Sequence, residues 1–141
     1  MALDMMDGGW GAEPGRIARQ QRARRGRRSY CAGAAAEEIV ARDYEGRGRG
    51  IAHRRWRGRG GEIDLIAREG DRVVFIEVKQ GKSFDAAIQR LGPRQMQRLC
   101  ASASEFIGGE PAGQLTEMRF DLALVDGQGA VRIIENAFGE V

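Results

Sequence analysis

The sequence predicts an α/β domain in which helices flank a mixed central β-sheet. Two β-branched and apolar runs, at 62–67 and 72–79, enclose a polar turn, which is the pattern of a β-hairpin. Between Met96 and Ile107, apolar residues recur at helical spacing, and Pro93 is a typical first-turn residue for such a helix. The 141 residues, 42% of them hydrophobic, are enough for one domain with its own core.

The remaining elements follow from the same periodicities and their breakers. A first helix is expected at about 30–44, with Ser29 as its N-cap and a glycine-rich breaker after it. Residues 51–59 are interpreted as the first strand, and their unusually polar alternation indicates the edge of a sheet. Further strands are expected at 118–125 and 131–134, separated by a glycine-containing turn.

Residues 1–28 are expected to form a disordered, arginine-rich tail ahead of a single domain at 29–141. Residues 1–29 hold seven arginines and three acidic residues, so their formal net charge is +4. The whole chain carries +3, and residues 30–141 therefore carry −1. The segment is rich in glycine and almost without apolar periodicity. It could bind nucleic-acid phosphates or be a solvated extension, and the composition leaves both readings open.

The composition also excludes several classes of protein. The chain has no run of eighteen apolar residues and no secretory pattern near Met1, so a cytoplasmic protein that does not cross a membrane is expected. Cys31 and Cys100 lack metal-binding spacing and are expected to be reduced thiols. A single histidine, His53, rules out a Ser/His or Cys/His nucleophilic set. Asp121 is expected to form a structural salt bridge with an arginine such as Arg119.

The predicted hairpin brings acidic side chains together. If Glu69-Gly70 is its tip, Asp64 faces Phe75 directly. Asp64 and Glu77 then share one face of the hairpin as diagonal neighbours, roughly 7 Å apart. Strand alternation places Lys79 on that face as well.

These three side chains predict a metal site with catalytic chemistry. Buried together without compensation, they would be costly, and a hard divalent cation such as magnesium would offset that cost by binding the carboxylates. A lysine beside the ion can orient or deprotonate water, or stabilise charge that develops on a phosphate. Lys79 is one of two lysines among 23 basic residues. Since arginine stays protonated, a lysine here favours a chemical role.

Glu37 is a further candidate on the first helix. It shares the inward-facing stripe with Val40, Ala41 and Tyr44, whereas Glu38 faces water. A carboxylate on a buried stripe needs a partner, which could be the metal or a neighbouring arginine.

The strand at 51–59 also carries candidate nucleic-acid contacts. Guanidinium groups bind phosphates, and an indole ring can stack on an unpaired base. The alternative is a charged edge that discourages aggregation, with the tryptophan packed on the core. The candidate residues are Arg54, Arg55, Trp56, Arg57 and Arg59.

The spacing of the hairpin motif resembles that of known nucleases. Asp64 followed by Glu77-Val78-Lys79 on the next strand is similar to the Asp…Glu-x-Lys core of restriction-endonuclease-like, or PD-(D/E)xK, nucleases. The longer block, Gly-Glu-Ile-Asp-Leu-Ile followed by Val-Phe-Ile-Glu-Val-Lys, more narrowly resembles the YraN family of small bacterial proteins. That family is in turn similar to Holliday junction resolvases. The resemblance runs from about Gly33 to the C-terminus.

The resemblance implies a restriction-endonuclease-like core and a particular set of site residues. It implies that Asp64, Glu77 and the Val78 carbonyl bind Mg²⁺ or Mn²⁺, while Lys79 acts on water or charge. Glu37 would complete the site, with Glu38 and Glu62 as alternatives.

The resemblance extends into the second half of the chain. It implies a short helix around 86–91 and a polar residue, Gln95, that approaches the site or the nucleic acid. The spacing itself favours the alternative, in which Gln95 is an amide at a helix edge, four residues before Leu99. Ala36 departs from the family pattern, which has glycine at that position.

The expected function is metal-dependent cleavage of DNA, with branched recombination or repair intermediates as candidate substrates. Two alternatives remain open. One is a non-catalytic nucleic-acid-binding module that keeps the nuclease fold, and the other is an adaptor whose acidic hairpin only resembles a site. A homodimer is compatible with resolvase-like activity, but no interface can be read from the sequence.

Overall fold

The computed structural model describes residues 33–138. From Ala35 onward, these residues belong to one compact unit. The predicted tail, Ser29 and Cys31 lie outside the described residues. Within the described part of the chain, no helix is both long and apolar enough to cross a membrane.

In the described part of the chain, five strands form one mixed sheet in the order β1-β2-β3-β4-β5. Neighbouring strands are antiparallel except for β3 and β4, which run parallel. The predicted mixed sheet is therefore confirmed, and the polar strand β1 lies at an edge as expected. The strands are β1 (Gly50–Arg57), β2 (Glu62–Glu69), β3 (Arg72–Gln80), β4 (Met118–Val125) and β5 (Val131–Ile134).

Within residues 33–138, three α-helices flank the sheet. Helix α1 is described from residue 33 to residue 46, and its beginning lies outside the described residues. Helices α2 (Phe84–Ile88) and α3 (Pro93–Gly108) form the crossover that a parallel pair of strands requires. Helix α2 begins two residues before the expected 86–91, because the Ser83 hydroxyl accepts the N–H of Ala86 and caps it earlier.

The hairpin pairing corrects the predicted one. Arg72 lies opposite Glu69 and Phe75 lies opposite Ile66, so the two-residue tip is Gly70-Asp71 rather than Glu69-Gly70. Gly70 has a φ of 64° and takes the first central position of the turn, where glycine is favoured. The shift moves each partner by two positions, which preserves the face of every side chain.

The two faces of the sheet bury different helices. The side chains between α1 and the sheet form one apolar cluster, and those between α3 and the sheet form another. Each fully buried Val, Leu, Ile or Phe side chain contributes roughly 1.5–3 kcal/mol. The α1 cluster contains Ala36, Val40, Ala41, Tyr44, Leu65, Ala67, Val74, Ile76, Ala123 and Val125. The α3 cluster contains Ile63, Ile66, Val73, Phe75, Leu99, Ala103, Phe106, Ile107 and Phe120.

A buried polar network links α1 to the sheet around Asp121, which is 1% exposed. Arg119 Nε donates to its Oδ1 at 2.8 Å, which confirms the predicted salt bridge. The Tyr44 hydroxyl donates to Oδ2 at 2.7 Å, and burial, followed by this contact, raises the pKa of Tyr44. The N–H of Asn136 also donates to Oδ1. The carboxylate is thus fully compensated, as a buried charge must be.

Candidate active site

Going outward from the hairpin turn, the backbone pairing of β2 with β3 stops one residue short of Asp64. The last paired residues are Leu65 and Ile76, and beyond them the N–H of Val78 donates to Asp64 Oδ2 at 2.9 Å. A side chain therefore replaces a backbone acceptor where the ladder stops. A cavity of about 250 Å³ opens there. Its lining residues are Gly60, Gly61, Glu62, Asp64, Glu77, Gln95, Arg98 and Leu99.

Glu77 is the most buried carboxylate of this cavity, with 4% of its surface exposed. Its Oε2 accepts from Lys79 Nζ at 2.8 Å and from Gln95 Nε2 at 2.5 Å. Its Oε1 is buried and has no hydrogen-bond partner among the described residues. Leaving a buried carboxylate oxygen unpaired is costly, so this atom is a ready ligand for a cation.

Asp64 has an unusual protonation equilibrium. Burial, together with the negative charge of Glu77, raises its pKa from 3.8 to about 7. The N–H of Val78 and the charge of Lys79 act in the opposite direction but are weaker. Two carboxyl groups that share a partly buried cavity thus resist being ionised together, which is the electrostatic condition that a bound cation relieves.

Glu37 lies close enough to Asp64 to interact with it electrostatically. Burial raises its pKa, and the charges of Asp64 and Glu62 add to the rise. Its Oε1 accepts from Arg55 Nε at 2.9 Å, an interaction that lowers the pKa. Of the two partners expected for Glu37, the structure contains the arginine. Arg55 adopts the left-handed backbone conformation, with φ of 52°, which is uncommon for a non-glycine residue.

The other two candidate ligands also contact arginines. Glu38 pairs with Arg54 at 2.8 Å and with Arg42 at 3.4 Å, and Glu62 pairs with Arg57 at 3.4 Å. Within residues 33–138, no three His, Cys, Asp or Glu side chains form a group that could hold a metal ion. The donors available are therefore the Asp64–Glu77 pair. This pair suits magnesium, which is usually bound by one or two carboxylates and keeps several waters.

The predicted nucleic-acid residues on β1 are engaged within the protein. Arg54 and Arg57 form the ion pairs described above, and Arg55 contacts Glu37. The Trp56 ring packs edge-on against Phe106, with 5.3 Å between ring centroids, and joins the α3 cluster. Arg59 follows β1 in an exposed loop.

Gln95 lies inside the site rather than at a free helix edge. The first turn of α3 carries it to Glu77, while Leu99, one turn later, lines the same cavity. The sequence favours a helix-edge amide for Gln95 over this contact, and the hydrogen bond to Glu77 corrects that preference. The available signal was the spacing to Leu99, which places a polar side chain on the buried stripe of the helix.

Sequence reasoning missed the contribution of Arg98 and of the loop at 58–61. A Cβ on Gly60 would lie 2.8 Å from the Arg98 carbonyl oxygen, so the loop rests directly on α3. The Ser102 hydroxyl donates to the carbonyl of Gly61 at 2.9 Å, and the Arg59 N–H donates to Glu105 at 2.8 Å. The paired glycines were the only sequence signal of this close approach.

The fold and the site define a small α/β protein with a carboxylate pair and a lysine beside a cavity where two strands part. A model of the uncharacterised protein family UPF0102 matches residues 36–125. The chain belongs to this family, which is the YraN group to which the hairpin motif is similar.

Curated relatives agree with this assignment over most of the chain. A UPF0102 protein of Ruegeria pomeroyi is 63% identical over 117 residues, which cover 83% of this chain and 95% of the relative. One from Cereibacter sphaeroides strain ATCC 17029 is 64% identical over 110 residues, covering 78% and 94%. One from Roseobacter denitrificans is 51% identical over 119 residues, covering 84% and 92%.

Proposed function

We propose that this protein is a metal-dependent nuclease that cleaves phosphodiester bonds in DNA, on a restriction-endonuclease-like core. The observation that supports it is the convergence of Asp64, Glu77 and Lys79 at the point where β2 and β3 separate. The buried Oε1 of Glu77, which has no hydrogen-bond partner among the described residues, offers a bound cation a further oxygen ligand. Branched recombination or repair intermediates are the substrates that the sequence resemblance favours, and the cytoplasm is the expected compartment.

Asp64 and Glu77 are the residues that would hold Mg²⁺ or Mn²⁺, with the Val78 carbonyl as a further oxygen donor. Such an ion, when bound, lowers the pKa of a coordinated water and neutralises charge on a phosphate. Gln95 and Lys79 both donate to Glu77 Oε2, which fixes the orientation of this carboxylate and leaves Oε1 as its available atom.

Lys79 is the candidate for direct action on the reacting groups. Its side chain is 16% exposed, and its amine lies 2.8 Å from Glu77, within the same cluster as the proposed metal ligands. From this position it could orient or deprotonate the attacking water, or stabilise negative charge on the phosphate during bond cleavage.

A second candidate is a non-catalytic nucleic-acid-binding module with the same fold. It is favoured by the Arg55–Glu37 contact, which occupies the carboxylate expected to complete a nuclease site. Under this alternative, the carboxylate pair would support the structure or bind a cation without cleavage.

Cleavage of a panel of DNAs by purified protein decides between these functions. Branched, flapped, single-stranded and duplex substrates are incubated with magnesium or manganese. We expect cleavage by the wild type and loss of it in Asp64→Asn and Glu77→Gln. Glu117→Gln, a change of an exposed carboxylate at the opposite end of the sheet, should retain wild-type activity. If the wild type leaves every substrate intact with both metals, the nuclease proposal is wrong and the binding module replaces it.

Metal binding is tested separately by thermal unfolding. Because a cation that binds the folded state raises its stability, magnesium or manganese should raise the melting temperature of the wild type. Asp64→Asn should abolish that rise, since it removes one of two charged ligands. An equal rise in this variant would place the cation elsewhere.

A further inference from the structure

The cavity itself repels the substrate proposed for it. Glu62, Asp64 and Glu77 line it, whereas Arg98 is the one basic residue among the described residues of its lining. Duplex DNA carries one negative charge per roughly 1.7 Å of axis, so cationic side chains beside the cavity are needed to hold it there. To contribute most, those cations should not already be neutralised by carboxylates of the protein.

Among the candidate DNA contacts, the arginines of β1 and those of α3 differ by this criterion. On β1, Arg54 and Arg57 lie within 2.8 Å and 3.4 Å of carboxylates. On α3, Arg94 and Arg98 are exposed, and no described carboxylate forms an ion pair with either of them. The contact of the Arg98 guanidinium is instead with the backbone carbonyl of Arg94, at 3.5 Å.

The two α3 arginines also have a suitable arrangement. They are four residues apart on one helix, so they lie one above the other on the same face, about 6 Å apart along its axis. The adjoining stripe of α3 carries Gln95, which contacts Glu77, so this face borders the cavity. Phosphates of one DNA strand follow each other at about 3.4 Å along the axis, and two flexible side chains can therefore reach successive phosphates.

We propose that Arg94 and Arg98 form the phosphate-binding surface that holds a DNA backbone against the cavity, in preference to the arginines of β1. The inference rests on the proposed function for the identity of the ligand. Its test measures binding without metal, so it is independent of whether the protein cleaves DNA.

The experiment is fluorescence anisotropy of a labelled DNA duplex with the full chain in EDTA, over a series of salt concentrations. Each phosphate contact contributes roughly 0.9 to the slope of log affinity against log salt. The double variant Arg94→Gln/Arg98→Gln should therefore reduce the slope by about 1.8 relative to the wild type. Both sites are exposed positions of a helix and glutamine is a good helix former, so folding should be unaffected.

Three further variants make the result decisive. Arg42→Gln/Arg68→Gln removes the same charge from two arginines that pair with Glu38 and Glu110, and should leave the slope near that of the wild type. Arg94→Lys/Arg98→Lys keeps the charge and should retain most of the slope. The third variant, Arg54→Gln/Arg57→Gln, should change the slope less than the α3 double variant does.

Several outcomes would overturn the inference. Equal slope losses in the α3 and control variants would mean that only total charge matters. A larger loss in the β1 variant would transfer the surface to that strand. A wild type that does not bind the duplex would exclude a DNA-binding role for α3, whereas binding without cleavage would overturn the nuclease proposal alone.

Discussion

Lys79 is the residue whose replacement separates an enzyme from a binding module. If it acts on water or on the transition state, Lys79→Ala should cut the cleavage rate by roughly 10²–10⁴-fold while leaving DNA affinity nearly unchanged. Lys79→Arg keeps the charge but provides no base, so a similar loss there would indicate proton transfer and partial retention would indicate electrostatic stabilisation.

Lys82 offers a matched control for these measurements. It is the second lysine of the chain, three residues further on, and it is exposed. Lys82→Ala should show wild-type single-turnover rates. If Lys79→Ala instead changes only affinity or melting temperature, the lysine has a structural role.

Asp64 should make the metal-free protein less stable as the pH rises. Its pKa of about 7 in the folded state lies above its ordinary value of 3.8, so between these values the folded state binds more protons than the unfolded state. The Asp64 contribution to stability is therefore fully present below about pH 4 and is lost as the pH rises through about 7.

Asp64→Asn tests this dependence, because the amide oxygen can still accept the Val78 N–H but cannot titrate. Thermal melts in EDTA from about pH 5 to pH 8 should show that the variant gains stability relative to the wild type as the pH increases. All other residues are shared, so the difference reports the titration that Asp64 adds through its interaction with Glu77. A constant difference across the range would contradict the raised pKa.

Sequence reasoning identified some of the site residues and missed others for a physical reason. The association of Asp64 with Glu77 depends only on strand alternation, which is insensitive to a two-residue error in the pairing. The place of Arg98 beside the cavity depends on how α3 is rotated against the sheet. That rotation is set by the packing of Phe106 and Leu99, which no local pattern specifies.

At the scale of elements, the hairpin and the edge strand were predictable, whereas the exact turn was not. Both Glu69-Gly70 and Gly70-Asp71 place Gly70 in a two-residue tip. The predicted tip has this glycine at the second central position, whereas in the structure it takes the first, with its positive φ. The ion pair of Arg72 with Glu69, at 3.2 Å across the turn, accompanies the observed choice.

The loop at 58–61 should tolerate added volume poorly. A Cβ at Gly60 would lie 2.8 Å from the backbone oxygen of Arg98 and 3.0 Å from Ser102 Oγ, so the loop would have to move away from α3. Gly60→Ala should destabilise the protein by about 1–3 kcal/mol in urea unfolding.

Gly50→Ala is the matched control for this substitution. No atom lies within 4 Å of the Cβ it would add, and its φ is not positive, so the change should stay within about 0.5 kcal/mol. Similar effects of the two substitutions would show that the loop does not press on the helix.

At the scale of the whole molecule, the basic charge predicted for nucleic-acid contact is divided between the tail and the folded unit. The tail carries seven arginines at 16, 19, 22, 24, 25, 27 and 28. If it is an electrostatic arm, deleting residues 1–28 should flatten the salt dependence of DNA binding, by roughly 0.9 in slope for each lost contact. A truncated protein with the full slope would restrict DNA binding to residues 29–141.

The layered architecture follows from the sequence more directly than the ion-pair pattern does. Alternating apolar strands and an amphipathic helix already require a sheet with helices on its faces. The pairing of each β1 arginine with a carboxylate does not follow, because Glu37 and Glu38 on α1 come opposite Arg55 and Arg54 only once the helix packs across the sheet.

The hydrogen bond from Val78 to Asp64 makes one backbone amide a direct reporter of the site. Its neighbours in β3 bond to other strands, whereas this proton is bound to a side chain that can be protonated or drawn toward a ligand. In a ¹⁵N-labelled sample, the Val78 resonance should shift with pH and with added magnesium, and its exchange with deuterium should follow Asp64 rather than global unfolding. A single amide signal would then report ligand binding even in variants that have lost all cleavage.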